Sequence, residues 1–166
     1  MGIENVKPLN IPEELWKFCD RKIIIDYCSN INGRWMLKDI DTIKSEINGE
    51  IYLDENSNHD KKYFMSEWID NIDSEFRVFV FNGSIKGINC YLGNELILPD
   101  LDYIKKVVKT YNKRCYTLDV MVTENGKHTE ILELHDFFSC GLYGFEDYSI
   151  LPVMWNASIQ DILRGV

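Results

Sequence analysis

Two Asn-Gly pairs, each set between runs of alternating apolar and polar residues, constrain this chain more than any other feature. Asn82-Gly83 joins EFRVFVF to SIKGINCYLG, and Asn125-Gly126 joins CYTLDVMVT to KHTEILELH. Asn-Gly accepts the positive φ angles of the tight turns whose twist matches paired strands, so both segments read as β-hairpins. KYFMSEWI reads as a strand running into a polar kink, IDNIDS, and RKIIID around Ile24, RWMLK ending at Lys38 and a polar stretch through Tyr52 read as extended. DENSNHDKK, Asp54 to Lys62, is the most loop-like run.

Helices are expected in three places. Pro12 to Cys19 has a proline suited to a first turn, with Glu13 and Glu14 complementing the helix dipole. After Pro99-Asp100, Leu101, Ile104, Val107, Val108 and Tyr111 recur at helical spacing. Near Asn156–Arg164, Ser158 and Asp161 have capping-box spacing. Antiparallel hairpins interrupted by helices make the fold class α+β rather than doubly wound. One domain over 1–166 is expected, with a small lobe at 20–70 and a larger one at 71–166.

Composition narrows the function. Acidic residues outnumber basic ones, 27 to 18, for a net charge of −9, the opposite sign from a chain that neutralises nucleic-acid phosphates. No nucleic-acid partner is expected, while a local basic pocket for a small phosphate ligand stays open. The five cysteines, Cys19, Cys28, Cys90, Cys115 and Cys140, include no CxxC pair, which argues against a disulfide framework or a zinc site and for a reducing compartment. MGIENVKPLN carries no apolar signal core, Val6 stands where a myristoylation signal wants Ser or Thr, and no window reaches the length of a membrane span. A cytoplasmic protein without membrane contact is expected.

The last hairpin is where chemistry concentrates. Period two puts Asp119 on one face of its strand, and Glu133 with His135 on one face of theirs. If Asp119 sits opposite Glu133, two carboxylates lie about 5 Å apart and call for a cation between them. A three-residue loop, Asn125-Gly126-Lys127, gives that register, whereas a two-residue loop turns Glu133 to the other face. Asp136 and the aromatic, glycine-rich FFSCGLYGF follow directly, and such loops beyond a polar strand end often line binding sites. His59 and His128 lie in polar turns and are read as uncommitted.

SEWIDNIDSEFRVFVFNGSIKGI, then LDVMV and ILELHDFFSCGLYGF, together resemble the ATP-binding half of the ATP-grasp superfamily, within its phage and bacterial clade marked by one arginine and two lysines. The resemblance implies an ATP-grasp-like arrangement of antiparallel sheets with flanking helices, and ATP with Mg2+ as cofactors. It implies that Lys38 and Lys44 hold phosphates, and that Glu67 reads the adenine edge with Trp68 and Ile69 supplying main chain and apolar walls. Asp73 is its best-spaced ribose carboxylate. Arg77 corresponds to the clade's arginine, whose fork suits transferring phosphoryl oxygens, against a surface ion pair with Glu75. Arg77 and Lys38 are the residues expected to be catalytic, and Asp119 and Glu133 match the magnesium ligands.

Two departures qualify that picture. The family's Glu-x-Asn is Glu133-Leu134-His135 here, and imidazole prefers softer metals than magnesium. Either Asp136 substitutes, Mn2+ replaces Mg2+, or metal binding is weaker. Only 37 residues precede Lys38, too few for the additional amino-terminal domain that family enzymes use for the molecule to be ligated. The expected function is ATP-dependent ligation of a small-molecule or peptide carboxylate to an amine or thiol through an acyl-phosphate. The alternative is a non-catalytic ATP-grasp-like binding or inhibitor protein, of phage origin and with a protein partner. A covalent AMP-lysine at Lys38 is disfavoured, because Asp41 stands where nucleotidyl ligases place glycine.

Overall fold

The computed structural model describes residues 9–28, 31–41, 48–53 and 61–165, with the strand path alone for 48–53. Lys44, His59, Val6 and most of the Asp54–Lys62 run lie outside the described residues. The chain divides into two compact units, the first of residues 1–10 and Cys19–Asp70, the second of Ile11–Phe18 and Asn71–Val166.

The first unit is a four-stranded antiparallel sheet. Its strands are β1 (Ile23–Tyr27), β2 (Gly33–Asp39), β3 (Asn48–Leu53) and β4 (Lys62–Glu67), in the order β1-β4-β2-β3. Alternation in β2 buries Trp35, Leu37 and Asp39 while Arg34, Met36 and Lys38 face the other way. Trp35 and Leu37 pack with Cys28, Tyr63 and Met65 into this unit's core.

The second unit is built on the two hairpins. β5 (Ser74–Phe81) and β6 (Ser84–Gly93) meet at Asn82-Gly83, whose φ angles of 50° and 67° are both positive, as a primed two-residue turn requires. β7 (Cys115–Thr123) and β8 (His128–Asp136) form the other hairpin, and the sheet runs β6-β5-β7-β8, antiparallel throughout. β7 is central: Cys115 to Val122 are all buried. One face carries α1 (Leu101–Thr110), which buries Ile104, Val107 and Val108 and leads into Tyr111, packed edge-on against Tyr116. Leu101, expected in the same stripe, is exposed at the helix start. The other face holds Phe79 and Cys115 against Phe137, Phe145, Met154 and Ala157, the last two from α2 (Leu151–Arg164).

Two helical expectations need correction. Glu13–Phe18 is a 3-10 helix, opened by a bond from the Leu15 N–H to the Pro12 carbonyl, a form common in so short a piece. α2 begins at Leu151, with Pro152 in its first turn, so Ser158 and Asp161 lie inside the helix and form no capping box. Their polar groups are spent on packing: Ser158 Oγ accepts from the Phe138 N–H, and Asp161 pairs with Arg114. Among the described residues, no helix is long and apolar enough to cross a membrane.

Candidate functional site

Asp119 does face Glu133, but the three-residue loop is not the reason. Thr123 pairs with His128 across a four-residue turn, Glu124 to Lys127, in which Glu124, Asn125 and Gly126 all have positive φ. Continued regularly, that register sets Leu132 opposite Asp119. Instead Val120 pairs with Ile131 and Asp119 with Glu133, leaving Leu132 as the extra residue of a β-bulge. The bulge resets the alternation and turns Glu133 and His135 onto Asp119's face.

β5 completes the row, since Arg77 pairs with Asp119 from the opposite side. Its guanidinium clasps the carboxylate, Nε to Oδ1 at 2.8 Å and Nη2 to Oδ2 at 2.6 Å, while Nη1 donates to the Gly141 carbonyl at 3.0 Å. Arg77 is thus a buried partner of Asp119, and the surface pair with Glu75 does not form. The Arg77 guanidinium carbon stands 4.7 Å from the Tyr143 ring and 5.6 Å from the Tyr91 ring, and these rings stack with centroids 4.8 Å apart.

Sequence reading missed Tyr91, Glu75, Gly141 and Tyr143. Glu75 pairs with Leu92 and Phe76 with Cys90, so Tyr91 is the extra residue of a second bulge, which simple alternation does not reveal. The Tyr91 hydroxyl reaches Asp119 Oδ2 at 3.3 Å and also bonds Glu75. The glycine-rich loop after β8 was the available signal for Gly141 and Tyr143. Tyr143 has φ 39° and Gly144 φ 79°, a left-handed pair, and the Tyr143 carbonyl accepts from Asn89.

His135 Nε2 lies 2.5 Å from Glu133 Oε1 and 3.6 Å from Asp119 Oδ2. Burial opposes its charge, but the hydrogen bonds and negative potential of Asp119 and Glu133 outweigh that and raise its pKa to about 9. Burial and the charges of Asp119 and Glu133 also push the Glu75 carboxyl up, partly offset by its bond to Tyr91. Burial would disfavour the charged Arg77, yet Asp119 overrides it and holds the guanidinium protonated. Without a metal, the repulsion between the two acids is relieved internally, by Arg77 and an imidazolium.

Could these residues hold a divalent cation? One ligand atom each from Asp119, Glu133 and His135 lie within 4.8 Å of one another. Two carboxylates suit a hard ion, and the imidazole, once deprotonated, moves the preference toward manganese-like ions. Asp136 does not join them. It alternates with His135, pairs with Tyr116 on the other face, and its Oδ1 lies 3.3 Å from Lys113 Nζ. Asp73 is also elsewhere, with Oδ2 accepting at 2.7 Å from the Asn125 N–H and so bracing the β7–β8 turn.

The other expected residues belong to the first unit. Lys38 sits on the face of β2 opposite Trp35 and Leu37, cross-strand from Phe64. Glu67 exchanges bonds with Lys22: its N–H donates to the Lys22 carbonyl, and its Oε2 accepts from the Lys22 N–H at 2.8 Å. The Trp68 N–H donates to the Arg34 carbonyl, and the Arg34 guanidinium lies 5.2 Å from the Trp68 ring. Of the three residues expected at the adenine edge, only Ile69 keeps a main-chain N–H that bonds nothing among the described residues.

The sheet pairing and the transverse row of charged groups agree with comparisons to known proteins. Residues 18–153 match the model of an ATP-grasp domain, the second family of the clade marked by one arginine and two lysines, and the chain belongs to that ATP-grasp family. No curated protein matches it. Among solved structures, the ATP-grasp ligase PsnB, complexed with precursor peptide PsnA2 and AMPPNP, is similar at TM-score 0.52 and 14% identity, over 88% of this chain and 54% of PsnB. A RimK domain ATP-grasp protein from Sphaerobacter thermophilus is similar at TM-score 0.51 and 14% identity, over 89% of this chain and 62% of the other. The chain thus spans between half and two thirds of these proteins' lengths, and identities this low speak for the fold alone.

Proposed function

We propose that this chain binds ATP with a divalent cation and serves an ATP-dependent ligation in which a carboxylate is activated as an acyl-phosphate and captured by an amine or thiol. The observation that carries the reading is the transverse row Arg77, Asp119, Glu133, with His135 beside it, on three neighbouring strands. Asp119 and Glu133 hold the cation, Mg2+ or Mn2+, and His135 gives up its proton to become a third donor. The cation, when bound, neutralises and aligns the triphosphate. Arg77 acts as a positioning residue that fixes the plane of the Asp119 carboxylate and keeps positive charge in the site. Lys38 and Lys44 hold phosphates, and Glu67, Trp68 and Ile69 hold the base. No residue becomes a covalent nucleophile.

The test is ADP release from ATP with Mg2+ or Mn2+, in the presence of a panel of acids, short peptides, amines and thiols. Turnover that falls at least a hundredfold in Asp119→Ala and Glu133→Ala supports the reading, and equal turnover in wild type and variants removes it. A second reading, nucleotide binding without turnover, is favoured by His135 in the position of an asparagine and by the commitment of both Asp119 oxygens to Arg77. Calorimetric binding of ATP and metal with no ADP released across the panel selects it.

A further inference from the structure

On the α1 side of the second sheet lies a cavity of about 770 Å³. Four of its lining residues are cations, Lys105, Lys109, Lys113 and Arg114, and none is a carboxylate. In a chain of net charge −9 this is a local reversal of sign. An adjoining cavity of about 460 Å³ shares Lys113 and Arg114 and adds Arg164, along with the acids Glu14 and Asp161. Neither cavity is lined by Arg77, Asp119, Glu133 or His135.

The cations are held in different ways. Arg114 is fixed in the wall: Nη2 bonds Asp161 Oδ1 at 2.7 Å and the Ala157 carbonyl at 2.8 Å, and Nε faces Asp161 Oδ2. Its Nη1 makes no bond among the described residues, so a guanidinium already immobilised keeps donors to spare. Lys113, nearly buried, is anchored 3.3 Å from Asp136. Lys105 and Lys109, one helical turn apart, are exposed, and the Lys105 pair with Asp102 is a solvated one of little energetic weight. Ile85, Val108 and Tyr111 give the same space an apolar side. Two lysines in the last turns of a helix would be explained by the helix dipole alone. A fixed arginine from β7's approach and an apolar wall in one cavity are not.

We propose that this cavity binds a small organic polyanion, a phosphate- or carboxylate-bearing molecule with an apolar body, at a site separate from the Asp119 row. Arg114 and Lys113 meet the anionic group as preplaced donors, Lys105 and Lys109 close over it, and the apolar body lies against Val108 and Tyr111. The inference stands whether or not the ligase reading holds, because it uses none of the same residues.

The test uses two probes in the presence of a metal chelator, pyrophosphate and citrate, titrated into the full chain and followed by amide chemical shifts and calorimetry. Saturable binding with shifts clustered at 82–85 and 105–114 is expected. Tighter pyrophosphate binding identifies a phosphorylated ligand, and tighter citrate binding a polycarboxylate. Lys105→Glu/Lys109→Glu should weaken either probe roughly tenfold or more, the equivalent of losing one to two exposed ion pairs at low salt, while leaving ATP binding with metal unchanged. Circular dichroism of the variant guards against misfolding, and Lys109→Gln gives a milder second measure. No saturable binding of either probe, shifts confined to the Asp119 row, or unaltered affinity in the double variant overturns the proposal.

Discussion

Replacing Arg77 with methionine tests the pair on which the site is built. The Arg77 and Asp119 side chains are 6% and 1% exposed, so the substitution leaves a carboxylate in the interior without its principal counter-charge. Three hydrogen bonds go, two of them charge-assisted. Breaking a buried pair by removing one partner costs about 3–5 kcal/mol. The Tyr91 hydroxyl and His135 still reach Asp119 Oδ2, which places the expected loss near the lower end, about 3 kcal/mol. That is roughly a third of the total stability of a domain this size. Asp119→Leu strands the arginine and should cost a similar amount. The double variant Arg77→Met/Asp119→Leu buries no unpaired charge, and its loss should fall short of the summed singles by at least about 2 kcal/mol. Urea unfolding at fixed pH with chelator present, with unchanged m-values, reads all three. A loss below about 1 kcal/mol for Arg77→Met, or additivity in the cycle, refutes the reasoning.

Metal-free stability should depend on pH through His135, whose folded-state pKa is raised to about 9. A raised value means the stabilisation is complete below the unfolded pKa and is lost as pH climbs from about 6.5 through 9. The side chain is 33% exposed, so screening reduces an upper bound of about 3 kcal/mol to roughly 1–2 kcal/mol. Urea midpoints should fall over that window in wild type and stay flatter in His135→Gln. Gly93→Ala should destabilise by roughly 2–4 kcal/mol, because φ is +82° and the new Cβ would meet the Asp73 carbonyl oxygen at 2.3 Å. Gly83→Ala, with open space at its Cβ, should lose only about 1 kcal/mol in the same thermal or urea assay. Asp100→Ala removes the cap that accepts from the Asp102 and Tyr103 N–H groups and should cost about 1 kcal/mol by the same measurement.

Much of the second unit was legible because its signals are local. Asn82-Gly83 specifies its turn without help from the rest of the chain, and Asp100 with the Ile104, Val107 and Val108 stripe specifies α1. Asp119 facing Glu133 was legible as an idea about faces, yet the route to it was not. A turn one residue longer than expected and an extra residue at Leu132 offset each other, and neither is visible in alternation. Tyr91 escaped for the same reason, being a bulge residue itself. Asp136 was misplaced because proximity in sequence to His135 was weighed above the period of two that separates their faces. Ser158 and Asp161 have the spacing of a cap, but Pro152 starts the helix earlier, and spacing alone carries no information about where a helix begins.

The surplus residue in β8 has an evolutionary corollary. Excising Leu132 would leave Ile131 across from Val120 and Glu133 across from Asp119, because both partnerships already exist on either side of it. Two related chains can therefore differ in length by one position inside this strand and still present the same acidic couple, whereas a one-residue loss between Glu133 and His135 would rotate the imidazole away.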